Sequence, residues 1–420
     1  MRARPSILAV LVALLALVPP GLQAQTGPGA KLLIAQTIVD FMAELENVSH
    51  GEDALYFLYR LIHLVNDEPA LARGVTPKAA PVEGALVPIP GATPTGCAVS
   101  KSAAIHPNGR FIYLATDAGA FGNVCAFAYD AAASTLTPIP GTPFRAGIGT
   151  RSVTIDPAGE FVYAANPDDG TLSGFAVDAT TGTLTPLAGS PYAAGRGTRN
   201  VVADPSGRFV YATNQLANNI SGYAINRDTG ALTPLPGSPY AAGVQPRNLA
   251  IDPRGKYLYV DESTQVLAFA INAATGALAP IGAGFGSDSS AMAVDPSGRY
   301  LYVASDEPSS VLTPYRIQAD GTITPAGPGV TTGANPISVA AAKNGRFVYT
   351  ANGNAASVSG FRIDDATGTL TPIEGSPFPA GENVSHIATA GALAANATWP
   401  AGEAFVRPLV NLVLEQCRPQ

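Results

Sequence analysis

Four basic side chains in this 420-residue chain recur at one register: Lys101, Arg151, Arg199 and Arg247. Guanidinium groups brought to one place hold a carboxylate or phosphate by charge-assisted, often bidentate, hydrogen bonds. The same register continues as Ser290, Ile337 and Ser385, so the basic character is confined to four consecutive copies. One residue further on, the copies read Ser102, Ser152, Asn200, Asn248, Ala291, Ser338 and His386. His386 is the one histidine there, and a neutral imidazole suits a general base near pH 7. A second register reads Thr116, Asn166, Asn214, Glu262, Ser305 and Asn352. Its asparagines are expected to bond their own turn backbones. Glu262, preceded by Asp261, is expected to neutralise Arg247 of its own unit or to serve as an acid–base group. Plainer readings stand beside these. Duplication alone copies an arginine that pairs with a neighbouring loop, and a lone histidine in a closing strand is most often structural.

These registers exist because the chain is a repeat. The unit 151–195 is followed by a similar unit at 199–243, and others start near Ser102, Arg247, Ser290 and Ile337. A shared turn places Pro157, Pro205, Pro253 and Pro296 at matching positions. Asp156-Pro157-Ala158-Gly159 has the residues of a type I turn: Asp first, Pro to set φ, Gly last. His106 stands where other units have that aspartate, and turn structure accounts for it. Each unit holds four short strands, A to D, with β-branched and aromatic residues alternating in strand B, as in Phe161-Val162-Tyr163-Ala164. Strand D carries a proline, as in Leu184-Thr185-Pro186. Proline cannot donate to a ladder, so strand D belongs at a sheet edge. The same proline recurs at Pro138, Pro234, Pro280, Pro325 and Pro372, with a seventh copy in Leu86-Val87-Pro88.

A seventh strand A follows the last full unit, because 380–387 aligns without gaps to 146–153. The chain thus begins with one strand D and ends with one strand A, which a composite blade would join, removing two open edges. The expected fold is an all-β, seven-bladed β-propeller over 81–399 with a short N-terminal helical extension. A six-bladed ring with loose ends is the competing count. Strands B and C of the closing blade are placed at 392–409. Residues 400–420 form a C-terminal tail, with a further helical turn over 405–416.

Arg2 and Arg4, the apolar run 7–18 and Leu22-Gln23-Ala24 read as a signal peptide over 1–24. The mature chain is then expected in the periplasm or secreted, with no membrane span after signal removal. Helical spacing of apolar residues predicts a helical hairpin over 31–66 within an N-terminal segment 25–80. The net charge of −7 and the lack of any Lys/Arg cluster exclude a nucleic-acid partner. Gly 44 and Pro 37 with 46% hydrophobic residues suit many short strands and tight turns. No Cys-x-x-Cys and no His pair at ligand spacing occurs, so no metal and no cofactor is expected. Of three cysteines, Cys97 and Cys125 are expected to bridge and Cys417 to remain free.

Asp-Pro-x-Gly-Arg followed by Phe-Val-Tyr-x-x-Asn resembles the repeat of the lactonase family of seven-bladed propellers, which includes 6-phosphogluconolactonase-like and carboxymuconate-cyclase-like proteins. Tyr211-Ala212-Thr213-Asn214 and Tyr349-Thr350-Ala351-Asn352 are similar to the related Tyr-Val-Thr-Asn repeats. The resemblance covers roughly 81–390. It implies a lactonase-like hydrolase whose ligand is a small anionic lactone or sugar acid. Members of carboxymuconate type use a histidine and an arginine where strands A open, plus a nearby glutamate. Here Arg151 and Arg199 occupy consecutive openings, and Thr213-Asn214-Gln215 offers no acid. Arg247 with Glu262, one blade on, is a shifted version of that arrangement. The alternative function is a non-catalytic propeller that binds a ligand or a cell-envelope protein, and under either reading the chain is expected to act as a monomer.

Overall fold

The computed structural model describes residues 86, 97, 100–117, 121–130, 135–262, 265–286, 289–306, 309–380 and 384–389, and the backbone of 411–415. All of these fall in one compact unit of the chain. Strands account for its regular structure, and no helix occurs among the described residues. The helical hairpin expected over 31–66 and the signal peptide lie outside them.

Six antiparallel sheets of four or five strands follow one another along the chain, at 100–145, 152–193, 198–241, 249–285, 291–331 and 336–379. Blade 3 shows the plan. Strand A (Thr198–Ala203) pairs with B (Phe209–Asn214), B with C (Asn219–Ile225), and C with D (Leu232–Pro234). The short strand Tyr240–Ala241 extends the outer edge along the other end of C. The Asp-Pro turns form as their residues dictate. Gly159 N–H donates to Asp156 O at 2.9 Å, and the buried Asp156 carboxylate accepts N–H groups of Ala158, Glu160 and Phe161 at 3.1, 2.7 and 2.8 Å. His106 does the same work with a ring nitrogen: its Nδ1 accepts Asn108 N–H at 3.1 Å while Nε2 donates to Gly159 O at 3.1 Å. The strand D prolines are exposed on the outermost strand of their sheets, where no ladder donor is missing.

The blades' innermost strands stand side by side in a ring. Strand Val384–Thr389 lies beside strand A of blade 6 and strand A of blade 1. It pairs with Asn411–Glu415, making a two-stranded sheet between the first and sixth blades. Six blades are therefore complete, one fewer than the sequence led us to expect. Two finer expectations are corrected. The strand that pairs with Val384–Thr389 lies beyond the 392–409 window, and 411–415 is a strand, where a helical turn was expected over 405–416. The pairing is long-range and its sequence carries no repeat signature, so nothing local announces it. Leu86 packs against the cluster of Phe347, Phe378, Val384 and Ile387, although Val87 and Pro88 lie outside the described residues.

Strand B of each of the first five blades contributes a fully buried tyrosine that stitches its blade to the next. The hydroxyls of Tyr113, Tyr163, Tyr211, Tyr259 and Tyr302 donate to the carbonyls of Gly182, Gly230, Gly276, Gly321 and Gly368 in the following blade's C–D turn. The Tyr211 bond is 2.6 Å long. Tyr211→Phe keeps the ring and orphans that carbonyl, so it should cost about 1 kcal/mol in urea unfolding. An unchanged midpoint would show the hydroxyl to be dispensable.

Candidate functional site

Strands A begin, and strands B end, on the face that carries the B–C turns and the D-to-A loops. Backbone bonds join the two loop sets: Gln215 N–H donates to Gly197 O at 2.9 Å and Leu216 N–H to Arg196 O at 3.2 Å. The residue that opens each strand A has a particular backbone setting. In blades 1, 3 and 6 and in the closing sheet the A–B register slips at Lys101, Arg199, Ile337 and Ser385. These are β-bulges, which take one side chain out of the alternation and re-aim it. No residue type demanded the bulges, so sequence reasoning placed the register without seeing its cause.

Arg199 feels both Arg151 of the preceding blade and Arg247 of the following one, as side chains aimed at a common axis do. Burial chiefly, then Arg151 and Arg247, pulls the Arg199 guanidinium down to about 10, with Asp261 opposing. Burial also lowers Arg151, and Asp117 opposes it. Arg199 Nη1 donates to Gln215 Oε1 at 3.0 Å, a neutral partner that brings no counter-charge of its own. Lys101 holds the same register one blade earlier and is half-buried.

The acid among these arginines is Asp261. It is fully buried at the end of strand B of blade 4. Its Oδ2 accepts Asn248 Nδ2–H at 2.8 Å and its Oδ1 accepts Asn248 N–H. Asn248 Nδ2 also donates to Ser290 O of the next blade at 3.0 Å. Burial raises the Asp261 carboxyl to about 6, while the bonds from Asn248 and the charges of Arg247 and Arg199 pull the other way. A signal for it existed one position from the register that was read. The six blades have Ala115, Ala165, Thr213, Asp261, Ala304 and Ala351 there, a single acid among small or hydroxyl side chains.

Glu262 is also buried, but its Oε2 accepts Val244 N–H at 2.9 Å. In blade 3 the equivalent Asn214 Oδ1 accepts Gly195 N–H at 3.1 Å, so Glu262 stands in for a loop-holding asparagine. Those asparagines do not bond their own turn backbones, as expected from sequence. Asn214 Nδ2 donates to Asn219 Oδ1 and Ser221 Oγ, and Asn166 and Asn352 bond strand C hydroxyls likewise. Their role is structural all the same.

His386 lies on the closing strand, with Nδ1 3.2 Å from Ser338 Oγ of blade 6. That hydroxyl also accepts Ile387 N–H at 3.2 Å. Burial pulls the imidazole down to about 4, so it is neutral at pH 7. Its titration is governed by desolvation alone, and the arginine trio sits on blades 2, 3 and 4.

The bridge between Cys97 and Cys125 is formed, with Cα atoms 6.3 Å apart. Cys417 lies outside the described residues. No helix among the described residues is long and apolar enough to cross a membrane.

Comparison with known proteins agrees with this architecture. The sequence pattern of the family described as lactonase, 7-bladed beta-propeller matches residues 85–198, 190–289 and 282–386. No curated protein matches. Among solved structures, a candidate 6-phosphogluconolactonase from Bacteroides uniformis superposes with a TM-score of 0.62 at 19% identity, over 70% of this chain and 89% of that one. A counterpart from Bacteroides fragilis gives 0.61 at 21%, over 70% and 88%. The periplasmic gluconolactonase of Pseudomonas aeruginosa gives 0.56 at 18%, over 68% and 87%. At such identities the structures share a fold. The family pattern spans well over half of the chain, and the chain belongs to the lactonase family of seven-bladed β-propellers.

Proposed function

We propose that the protein is an exported lactonase-type propeller that opens a small anionic lactone at the arginine-lined mouth. In this reading the ring has seven blades, the last composed of Val384–Thr389, Asn411–Glu415 and the strand around Val87. The observation that carries the reading is Arg199, half-buried between two like charges and hydrogen-bonded to the neutral Gln215. Mutual repulsion of three guanidinium groups in a partly desolvated mouth is relieved by a bound anion. One or two guanidinium groups hold the substrate's carboxylate. A third stabilises the oxyanion that forms when water adds to the lactone carbonyl and loses a proton to solvent; collapse of that oxyanion breaks the ring C–O bond, and the leaving oxygen takes up a proton. Asp261 is a positioning residue, fixing the Asn248 backbone beside Arg247. The names of the family and of its solved neighbours point to the same reaction class, and the formed disulfide suits an oxidising compartment such as the periplasm.

A screen of aldonic and aromatic-acid lactones against the purified protein tests this, read as acid release. Ring opening that weakens with added salt supports it. Absence of both turnover and binding of the ring-opened acids would end it.

Asp261 supplies an independent check. A carboxyl whose pKa is higher folded than unfolded favours folding when protonated, and that benefit is lost as pH rises through the folded value. Asp261→Asn removes the titration. Relative to the parent, the variant should gain stability as pH rises from about 4 through 6, on the order of 2 kcal/mol by pH 8. Chemical unfolding at pH 4 and pH 8 reads this directly, and a constant difference would contradict the burial argument.

A second reading, a propeller that binds an anion without turnover, is favoured by two contacts. The Glu262 carboxylate accepts Val244 N–H, and His386 is turned to Ser338. Saturable binding of the ring-opened acids with no lactone opening would select it.

A further inference from the structure

Four large apolar side chains stand exposed among the described residues: Phe121, Ile148, Leu216 and Val244, at 42%, 39%, 61% and 57%. Scattered singly, such residues mean little. These are not scattered. Phe121 and Leu216 lie in B–C turns, Ile148 and Val244 in D-to-A loops, so all four share the face of the arginine trio and the same run of blades. Ile148 and Val244 each stand three residues before a ring arginine, Arg151 and Arg247. Leu216 follows Gln215, the hydrogen-bond partner of Arg199.

The loops hold these side chains outward. Val244 N–H is tied to Glu262, and Gln245 N–H donates to Asn218 Oδ1 at 2.8 Å, which joins the Val244 loop to the turn carrying Leu216. Gly197, at a φ of 70°, runs so close beneath Leu216 that a Cβ there would meet its Cγ at 2.7 Å. The Leu216 side chain thus lies over the neighbouring D-to-A loop with most of its surface exposed. On blade 1, Arg145 stacks 3.6 Å from the centre of the Phe121 ring, so apolar surface and positive charge adjoin there as well.

We propose that the ligand is an anion with a hydrocarbon body: the arginines take its carboxylate, and Leu216 and Val244, with Ile148 and Phe121 at the margins, cover an alkyl or aryl portion. This rests on the reading of the arginines as the anion site and narrows it, because a polyhydroxylated acid would lay its hydroxyls against side chains that offer no hydrogen bond. Burying the hydrocarbon against them favours the apolar anion by about tenfold.

Two probes of equal charge separate the cases, 3-phenylpropanoate and D-gluconate, titrated calorimetrically into the whole protein. The parent should bind 3-phenylpropanoate at least about tenfold more tightly. The double variant Leu216→Ser/Val244→Ser should abolish that preference by weakening 3-phenylpropanoate, while gluconate binding is retained or tightened, which also reports an intact fold. Arg199→Ala should weaken both. Gluconate binding as tightly as 3-phenylpropanoate, or a double variant without effect, overturns the inference and leaves the anion site standing. An Arg199→Ala protein that binds both probes like the parent overturns the anion site, and the inference with it.

Discussion

Arg199→Ala is expected to lower kcat/KM for an anionic lactone by roughly 10²–10³-fold, the loss that follows removal of one preorganised oxyanion donor. Affinity for the ring-opened acid should fall by about 1–3 kcal/mol. The same substitution should leave stability unchanged or slightly raised. It deletes the central member of three like charges, and its one resolved hydrogen-bond partner, Gln215, is a neutral side chain at the end of strand B. Loss of activity together with retained stability marks a ligand-directed residue, since a structural arginine would lose both. Arg199→Lys keeps the charge and gives up the fork, so it should recover affinity in part and turnover little. A variant that turns over the substrate like the parent would leave the arginine register a by-product of duplication.

Breaking the Cys97–Cys125 bridge is expected to cost about 3.5 kcal/mol, from the chain entropy of a loop 28 residues apart in sequence. Cys125 is fully buried on strand C of blade 1, and Cys97 packs at the edge of the same core cluster, beside Ile105 and Leu136. The bridge thus ties the chain at Cys97 to a core strand of the first blade. Chemical unfolding with and without reductant measures the effect, and Cys97→Ser with Cys125→Ala controls for the reagent. Equal midpoints would mean that this part of the chain is held by other contacts.

Local signals read correctly because they are enforced locally. Asp-Pro-x-Gly dictates its turn through the aspartate's bonds to N–H groups two to five residues on, and a proline in strand D is confined to an edge by its missing donor. The register of Arg151, Arg199 and Arg247 was equally legible, because rotation about one axis preserves register. What escaped was non-local or conformational. The strand at 411–415 finds its partner across more than twenty residues without repeat character, the bulges leave no compositional trace, and the bond from Val244 N–H to Glu262 is invisible without the loop. Asp261 adjoins Glu262 and lies one position from the register that was read; both acids are buried, and Asp261 is the one whose charge couples to Arg199 and Arg247.

The tyrosine bonds between blades all run the same way along the chain, from strand B of one blade to the C–D turn of the next. An array that stops after any of the first five blades therefore ends with a hydroxyl whose acceptor has not yet been made. During synthesis each emerging blade satisfies the one before it and exposes its own need, so an interrupted chain always presents one unfinished side. Cutting the ring between any two complete blades and rejoining the natural ends should accordingly be tolerated, while deleting a single blade should not, since the remaining hooks and eyes would then have to meet around a smaller circle.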